Sequence, residues 1–464
     1  MNLAFGYQLG KHKHGSIALE EGDRLRSEYV IGSSGSGKSS LLETQIVQDC
    51  SKGFAVFDVE DRLTERTLRH LCDAGRDPLV IDPTITDPVV PMNVLSVPPG
   101  IHPHTVIEGV LQAFRRGWPD AWGARLEDLL RHSLLLLMEH NLTLGELPQL
   151  LSDQTFRERA ADASQDQRVR LYFQEHMGEL SKYRLREWVE STRNKVGALM
   201  SNPFIASPLS AQTSVDFLEF MDAGTPIVVN LPESILGDSG RLFGMLLISR
   251  FFQASLRRSV GAAPFIIYCD EFQTLATRAF LDLVTRGRKR GIGAVVAHQS
   301  VSQPPFDSSP EYVTTMLSNT AVHVVMQVGR EDAERFAKEL FPATGTQAKR
   351  RKRHWLWGDH GDPQFYSVQE EREQQCSMIE EQRPRECFIK VRRATGFTVY
   401  CAEAFEVPEP SATAADAAAL SHASLAKYGV PLSDVLAAQA ERLARFKPSR
   451  KRKAVDNQPP SQET

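Results

Sequence analysis

Gly32 to Ser39 reads Gly-Ser-Ser-Gly-Ser-Gly-Lys-Ser, two glycines at a fixed spacing followed by a lysine and a hydroxyl residue. The chemistry this spacing serves is phosphate binding. With only small side chains at Gly32, Ser33, Ser34, Gly35, Ser36 and Gly37, the backbone can curl so that successive N–H groups face phosphate oxygens. A helix opening directly after the loop adds the positive end of its dipole. Lys38 would then reach the β- and γ-phosphates, Ser39 would hold Mg²⁺, and Ser40 completes the candidate nucleotide-binding set. The alternative is a flexible Gly/Ser turn, so the surroundings decide.

A second pair of residues could work with that loop. Asp270 and Glu271 end the apolar run Pro264-Phe-Ile-Ile-Tyr-Cys269. Asp270 would bind Mg²⁺ through water and Glu271 would activate the attacking water. Gln299 follows the apolar run Ala294-Val-Val-Ala297, where its amide could sense a γ-phosphate or position water, or be an ordinary loop glutamine. Arg286, Arg288 and Arg290 precede that run. Their guanidinium groups could cross a subunit boundary to stabilise transition-state charge, or be solvated surface arginines. Loop and acid pair together point to an enzyme that hydrolyses ATP with Mg²⁺.

Such groups meet only if strands deliver them to one edge of a sheet. Glu28-Tyr-Val-Ile31 is a short β-branched and aromatic run before the loop, and Leu41 to Cys50 has helical spacing after it. Gly53 to Asp58, Leu79 to Asp82, Pro226 to Leu231, Phe265 to Cys269, Ile292 to Ala297 and Val322 to Met326 read as further buried strands. Strands alternating with helices predict an α/β fold with a mainly parallel sheet, whose ligands gather at the C-terminal strand ends. Between residues 101 and 215 the pattern turns helical, with Leu126, Leu129, Leu130, Leu134 and Leu137 on one face. An all-helical insertion would explain why the lysine and the acids lie so far apart in the chain.

The expected organisation is residues 1–100 as the first half of the ATPase domain, 101–215 as the insertion, 216–345 as the second half, and 346–464 as a C-terminal extension. Gly15 to Glu20 alternates like an edge strand. The extension would hold a strand pair near Cys387 to Val391 and Phe397 to Cys401, an alanine-rich helical stretch from Ala412 to Phe446 and a disordered tail.

With 464 residues and 41% hydrophobic content, the chain is neither disordered nor fibrous. Its six cysteines show no paired close spacing, so neither a zinc site nor a disulfide framework is indicated, and a reducing cytoplasm is the natural home. No apolar run reaches membrane-spanning length and no signal peptide is visible at the start. The net charge of −4 conceals basic clusters at Arg286 to Arg290, Lys349 to Arg353 and Lys447 to Lys453, candidate contacts for a phosphate backbone. Trp355 and Trp357 beside the second cluster could stack on bases, or the segment could be a solvated linker.

Taken together these residues resemble the HerA/FtsK superfamily of DNA-pumping ATPases, and within it the TraG/TraD type of type IV secretion coupling protein. The resemblance rests on Tyr29-Val-Ile-Gly before the loop, Phe57-Asp58, Pro91-Met-Asn93, Trp122-Gly-Ala-Arg125, Asn194-Lys195, Asp270-Glu271, Arg288-Lys-Arg-Gly before Gln299, and Ser318-Asn-Thr320. It covers roughly residues 28 to 345. It implies a RecA-like P-loop domain with a helical insertion, a homohexameric ring with composite ATP sites, and movement of single- or double-stranded DNA through a central channel. In that scheme Lys38 and Ser39 are phosphate and Mg²⁺ ligands, Asp270 the metal-side acid, Glu271 the base, Gln299 the sensor and Arg288 a finger acting in trans. Membrane-bound coupling proteins carry N-terminal transmembrane helices and HerA proteins an N-terminal barrel, whereas residues 1–31 alone precede this loop. The first reading is an ATP-driven DNA translocase in conjugative transfer or a mobile-element process, with a secretion channel, a relaxase or a nuclease as partner. A HerA-like motor serving a nuclease and a slowly hydrolysing, ATP-regulated DNA-binding adaptor stand as alternatives.

Overall fold

The computed structural model describes residues 2–3, 7–8, 17–177, 182–301, 310–342 and 365–446, with the side chains of 2–3, 7–8, 182–188, 191 and 310 left aside. The clusters Lys349 to Arg353 and Lys447 to Lys453, with Trp355 and Trp357, lie outside the described residues. In chain order the strands are β1 (Asn2–Leu3), β2 (Tyr7–Gln8), β3 (Ile17–Ala18), β4 (Glu28–Ile31), β5 (Gly53–Asp58), β6 (Leu79–Ile81), β7 (Ile227–Asn230), β8 (Phe265–Cys269), β9 (Ile292–His298), β10 (Val322–Val325), β11 (Glu386–Arg393) and β12 (Gly396–Glu403).

Ten of them form one sheet in the order β2-β12-β11-β10-β4-β9-β8-β5-β7-β6. From β10 to β6 all neighbours are parallel, and β11, β12 and β2 extend the sheet antiparallel beyond β10. Strand alternation divides the apolar side chains between two cores. Tyr29, Ile31, Ala55 and Phe57 enter the larger one, while Val30, Phe54 and Val56 enter the other. Every residue of β4, β5, β8 and β9 is buried, as parallel strands covered by helices on both faces must be.

Between Pro103 and Ala223 the regular elements among the described residues are all helices, from Pro103–Gly117 and Ala124–Glu139 to Pro203–Ser210 and Phe217–Ala223. Leu126, Leu129, Leu130, Leu134 and Leu137 are all buried in the larger core. The helix Glu233–Arg257 is broken at Gly237, whose φ of 53° and ψ of −144° suit glycine alone.

One expectation is corrected. The stretch near Ile17 is not an edge of the main sheet: β3 is two residues long and pairs with β1 in a separate two-stranded sheet. It stops because Glu20 caps the helix Glu21–Arg24, exchanging hydrogen bonds with Asp23. The strand pair expected near Cys387 to Val391 and Phe397 to Cys401 is present as the hairpin β11–β12, and β11 pairs along β10. Cys387, Phe388, Ile389 and Val391 are buried there, and an uncovered β10 edge would expose unpaired backbone.

The chain then returns across the molecule as the helices Ala414–Tyr428 and Leu432–Ala444. Ser424 on the first accepts from the N–H of Val80 in β6, and Arg442 on the second forms a buried pair with Glu146 of the helical segment, 2.9 Å apart. Arg442 also donates to the carbonyl of Ser210 and to Oε1 of Gln212. Among the described residues, no helix is long and apolar enough to cross a membrane.

Candidate functional site

β4, β9 and β8 are neighbours, and their C-terminal ends carry the glycine-rich loop, Gln299 and the acid pair respectively. Strand order therefore gathers groups that are scattered along the chain. The loop opens with the Gly32 N–H donating to the carbonyl of His298 and the Ser33 N–H donating to that of Gln327, so both flanking strands anchor it. Gly35 and Gly37 take φ of 80° and 106°, left-handed values that L side chains avoid. A Cβ on Gly32 would fall 2.4 Å from Oγ of Ser36 and 2.8 Å from Cβ of Met326. The helix Lys38–Asp49 begins at once, and N–H groups in its first turn have no intrahelical acceptor.

Lys38 is buried and its Nζ donates to the carbonyl of Gly32 at 2.8 Å and to that of Ser33 at 3.3 Å, so the ammonium lies along its own loop. Ser39 Oγ donates to Oδ2 of Asp270 at 2.7 Å. Asp270 accepts the Glu271 N–H on its other oxygen. Burial pushes the Asp270 carboxyl up to about 6, with the Glu271 charge adding to the effect and the Ser39 hydrogen bond opposing it. A hydroxyl and a buried carboxylate oxygen in contact make a hard-oxygen donor pair fitted to Mg²⁺, which would also relieve the buried charge. Among the described residues no set of three or more histidine, cysteine, aspartate or glutamate side chains is arranged to hold a metal.

Glu271 is buried and its backbone is left-handed, φ 48° and ψ 46°. For a glutamate this conformation carries strain, of the kind found at active sites. Its carboxylate is held from two sides: Gln299 Nε2 donates to Oε1 at 2.9 Å and Gln273 Nε2 donates to Oε2 at 2.6 Å. Below Gln299, His298 is buried with its ring against the Tyr29 hydroxyl, and burial pushes its pKa down to about 3, so it is neutral at ordinary pH. A cleft of about 650 Å³ opens beside these groups, lined by Glu271, Gln273, Gln299, Arg116, Glu233 and Arg241.

The structure thus brings Gly32 to Ser40, Asp270, Glu271 and Gln299 to one sheet edge. It does not bring Arg288 there. Arg288 is exposed in the turn Gly287–Arg290, before the first residue of β9, at the opposite end of the strand that leads to Gln299. Arg286 lies near Asp282, and Arg290 donates to the carbonyl of Arg258. Asp58 is occupied structurally, accepting the N–H groups of Glu60, Leu63 and Thr64. Sequence reasoning missed Gln273, two positions past the acid pair. It also missed Arg385, whose N–H donates to the Ser36 carbonyl at 2.7 Å.

Residues 264–382 match the family model described as the TraM recognition site of TraD and TraG, a segment that contains Asp270, Glu271 and Gln299. No curated protein matches the chain by sequence. Among solved structures, the bacterial conjugative coupling protein TrwBdeltaN70 is similar at TM-score 0.57 and 16% identity, covering 84% of this chain and 87% of that one. TrwB in complex with ADP and Mg²⁺ is similar at TM-score 0.56 and 16% identity, covering 83% and 87%. VirB4 of Thermoanaerobacter pseudethanolicus is similar at TM-score 0.56 and 13% identity, covering 87% and 97%. Residues 264–382 thus match the TraD and TraG family model, and the fold is the one seen in the TrwB and VirB4 structures.

Proposed function

We propose that the protein is an ATP-hydrolysing motor that moves DNA, working as a ring of identical subunits in a process akin to conjugative transfer. One observation carries the hydrolytic part: Ser39, Asp270, Glu271 and Gln299 form an unbroken set of contacts at the mouth of the loop. Gly32 to Ser40 would cradle the phosphates, with Lys38 exchanging the Gly32 and Ser33 carbonyls for phosphate oxygens. Ser39 and Asp270 would hold Mg²⁺, which supplies charge neutralisation between the phosphates when bound. Glu271, fixed by Gln273 and Gln299, takes the proton of the attacking water, and Gln299 can exchange that bond for one to the water or the γ-phosphate.

The likeness to coupling proteins supports DNA as the substrate, and a TraM-like component of a DNA-processing complex as the partner of residues 264–382. We assign the transition-state arginine to Arg288 of a second copy. Its place at the far end of β9 keeps it from its own site, which leaves a neighbour's site as the one it could serve in a ring. The test is steady-state ATP turnover with and without DNA. DNA should raise turnover, Lys38→Ala should abolish it, and mixing Lys38→Ala with Arg288→Ala chains should restore part of it. Turnover that ignores DNA removes the motor reading, and co-assembled mixtures without rescue remove the finger in trans.

A further inference from the structure

The outer rim of the loop is covered by a residue that no part of the proposed mechanism uses. Arg385 stands just before β11, its N–H bound to the Ser36 carbonyl at 2.7 Å and its own carbonyl accepting the Ala404 N–H at 2.9 Å. A Cβ on Gly37 would lie 3.1 Å from the Arg385 nitrogen and 3.2 Å from its Cα and Cγ, so both backbone and side chain of Arg385 cross the loop beside Lys38.

Two features show that this position is built for more than a turn. Arg385 has a φ of 73°, a left-handed value that glycine or asparagine would adopt with less strain. Among the described residues its guanidinium meets exposed partners, Oε1 of Glu406 at 3.0 Å and Oε1 of Glu403 at 3.2 Å, whose side chains are 83% and 59% exposed. Exposed pairs of this kind are weak and readily exchanged. A phosphate, in contrast, offers a guanidinium fork paired, charge-assisted hydrogen bonds.

We propose that Arg385 is a nucleotide-binding residue, whose guanidinium leaves Glu403 and Glu406 for an anionic oxygen of a nucleoside polyphosphate seated in the loop. The two carboxylates then act as competitors of the ligand, setting affinity from the hairpin β11–β12. This rests on the nucleotide-binding reading above and adds to it a residue of the second wall of the site.

The exchange makes predictions of opposite sign, which a structural role would not. Arg385→Gly keeps the turn and relaxes its backbone while removing the charge; it should weaken binding of Mg²⁺-ADP and of a non-hydrolysable ATP analogue about tenfold, and Arg385→Lys should recover part of the loss. Glu403→Gln with Glu406→Gln leaves the guanidinium without its competitors and should tighten both about threefold. Calorimetric titration of the full chain reads all of these, with Lys38→Ala alongside. If wild type and Lys38→Ala are alike in failing to bind, the nucleotide reading itself falls. If Lys38→Ala abolishes binding while Arg385→Gly leaves it unchanged, or the double glutamine variant binds no better than wild type, the role of Arg385 is overturned and the nucleotide reading stands.

Discussion

Glu271→Gln separates chemistry from architecture, because the substitution keeps shape and changes one oxygen to an amide nitrogen. Both Glu271 oxygens accept from glutamine amides, at 2.9 Å from Gln299 and 2.6 Å from Gln273. Whichever oxygen becomes NH₂ then faces a donor. Either glutamine can turn its own amide by a half rotation and present its oxygen instead, so the loss is two charge-assisted bonds traded for two neutral ones, about 1–2 kcal/mol together. Neutralising a buried carboxylate works in the other direction. Loss of the general base, by comparison, should slow hydrolysis by ~10²–10⁴, about 3–5 kcal/mol in the barrier. The catalytic effect exceeds the structural one, so the variant should stay folded, bind nucleotide like wild type and hold it unhydrolysed. Single-turnover phosphate release, read beside an equilibrium titration and a thermal melt, checks all three. Release within about threefold of wild type would refute the assignment of the base.

Asp270, raised to about 6 by burial, should make Mg²⁺-nucleotide binding fall about tenfold per pH unit below that value, as proton and metal compete for one carboxylate. Its folded pKa lies above the ~3.9 of an unfolded aspartate, so its contribution to stability is full below about 4 and is lost as pH rises through about 6; Asp270→Asn should remove that slope from denaturation curves taken across the window. Gly37→Ala forces a side chain onto a φ of 106° and against the Arg385 backbone, and should weaken nucleotide binding by ~5–30-fold in the same titration that reads Lys38→Ala. Arg442→Ala leaves Glu146 buried without its cation, which should cost about 3–5 kcal/mol and appear as faster hydrogen exchange in the helix Leu432–Ala444. Arg442→Met with Glu146→Gln should recover most of it.

The parallel sheet was legible because its strands are runs too uniformly apolar to have a wet face, such as Ile292 to Ala297, and because β4, β5, β6 and β8 stop at a glycine or an acid. The meeting of Ser39, Asp270 and Gln299 follows from one topological fact, that ligands collect where parallel strands end. What stayed hidden has the opposite character. β11 and β12 announce themselves as strands through their alternation, yet alternation names no partner, so nothing local said that they would close the β10 edge. The hold of Arg385 on the loop is a bond between two backbones distant in sequence, and backbone groups are the same in every residue. Only Pro384, which marks a bend before the strand, hinted at that place. Arg288 precedes the run that Gln299 follows, so the sequence already set the two at opposite ends of β9.

The returning C-terminal segment turns these separate contacts into a drawstring. Arg442 is knotted into the helical segment at Glu146 and Ser210, Ser424 is pinned to β6, and Ala404, at the near end of the same cord, holds the carbonyl of Arg385. Arg385 in turn holds Ser36. Between Ala404 and the helix Ala414–Tyr428 the segment is tied once more, the Ser411 and Ala412 N–H groups donating to Asp73 of the helix Leu63–Asp73. One continuous stretch of chain thereby stitches the helical segment, the β6 edge of the sheet and the rim of the phosphate loop to one another.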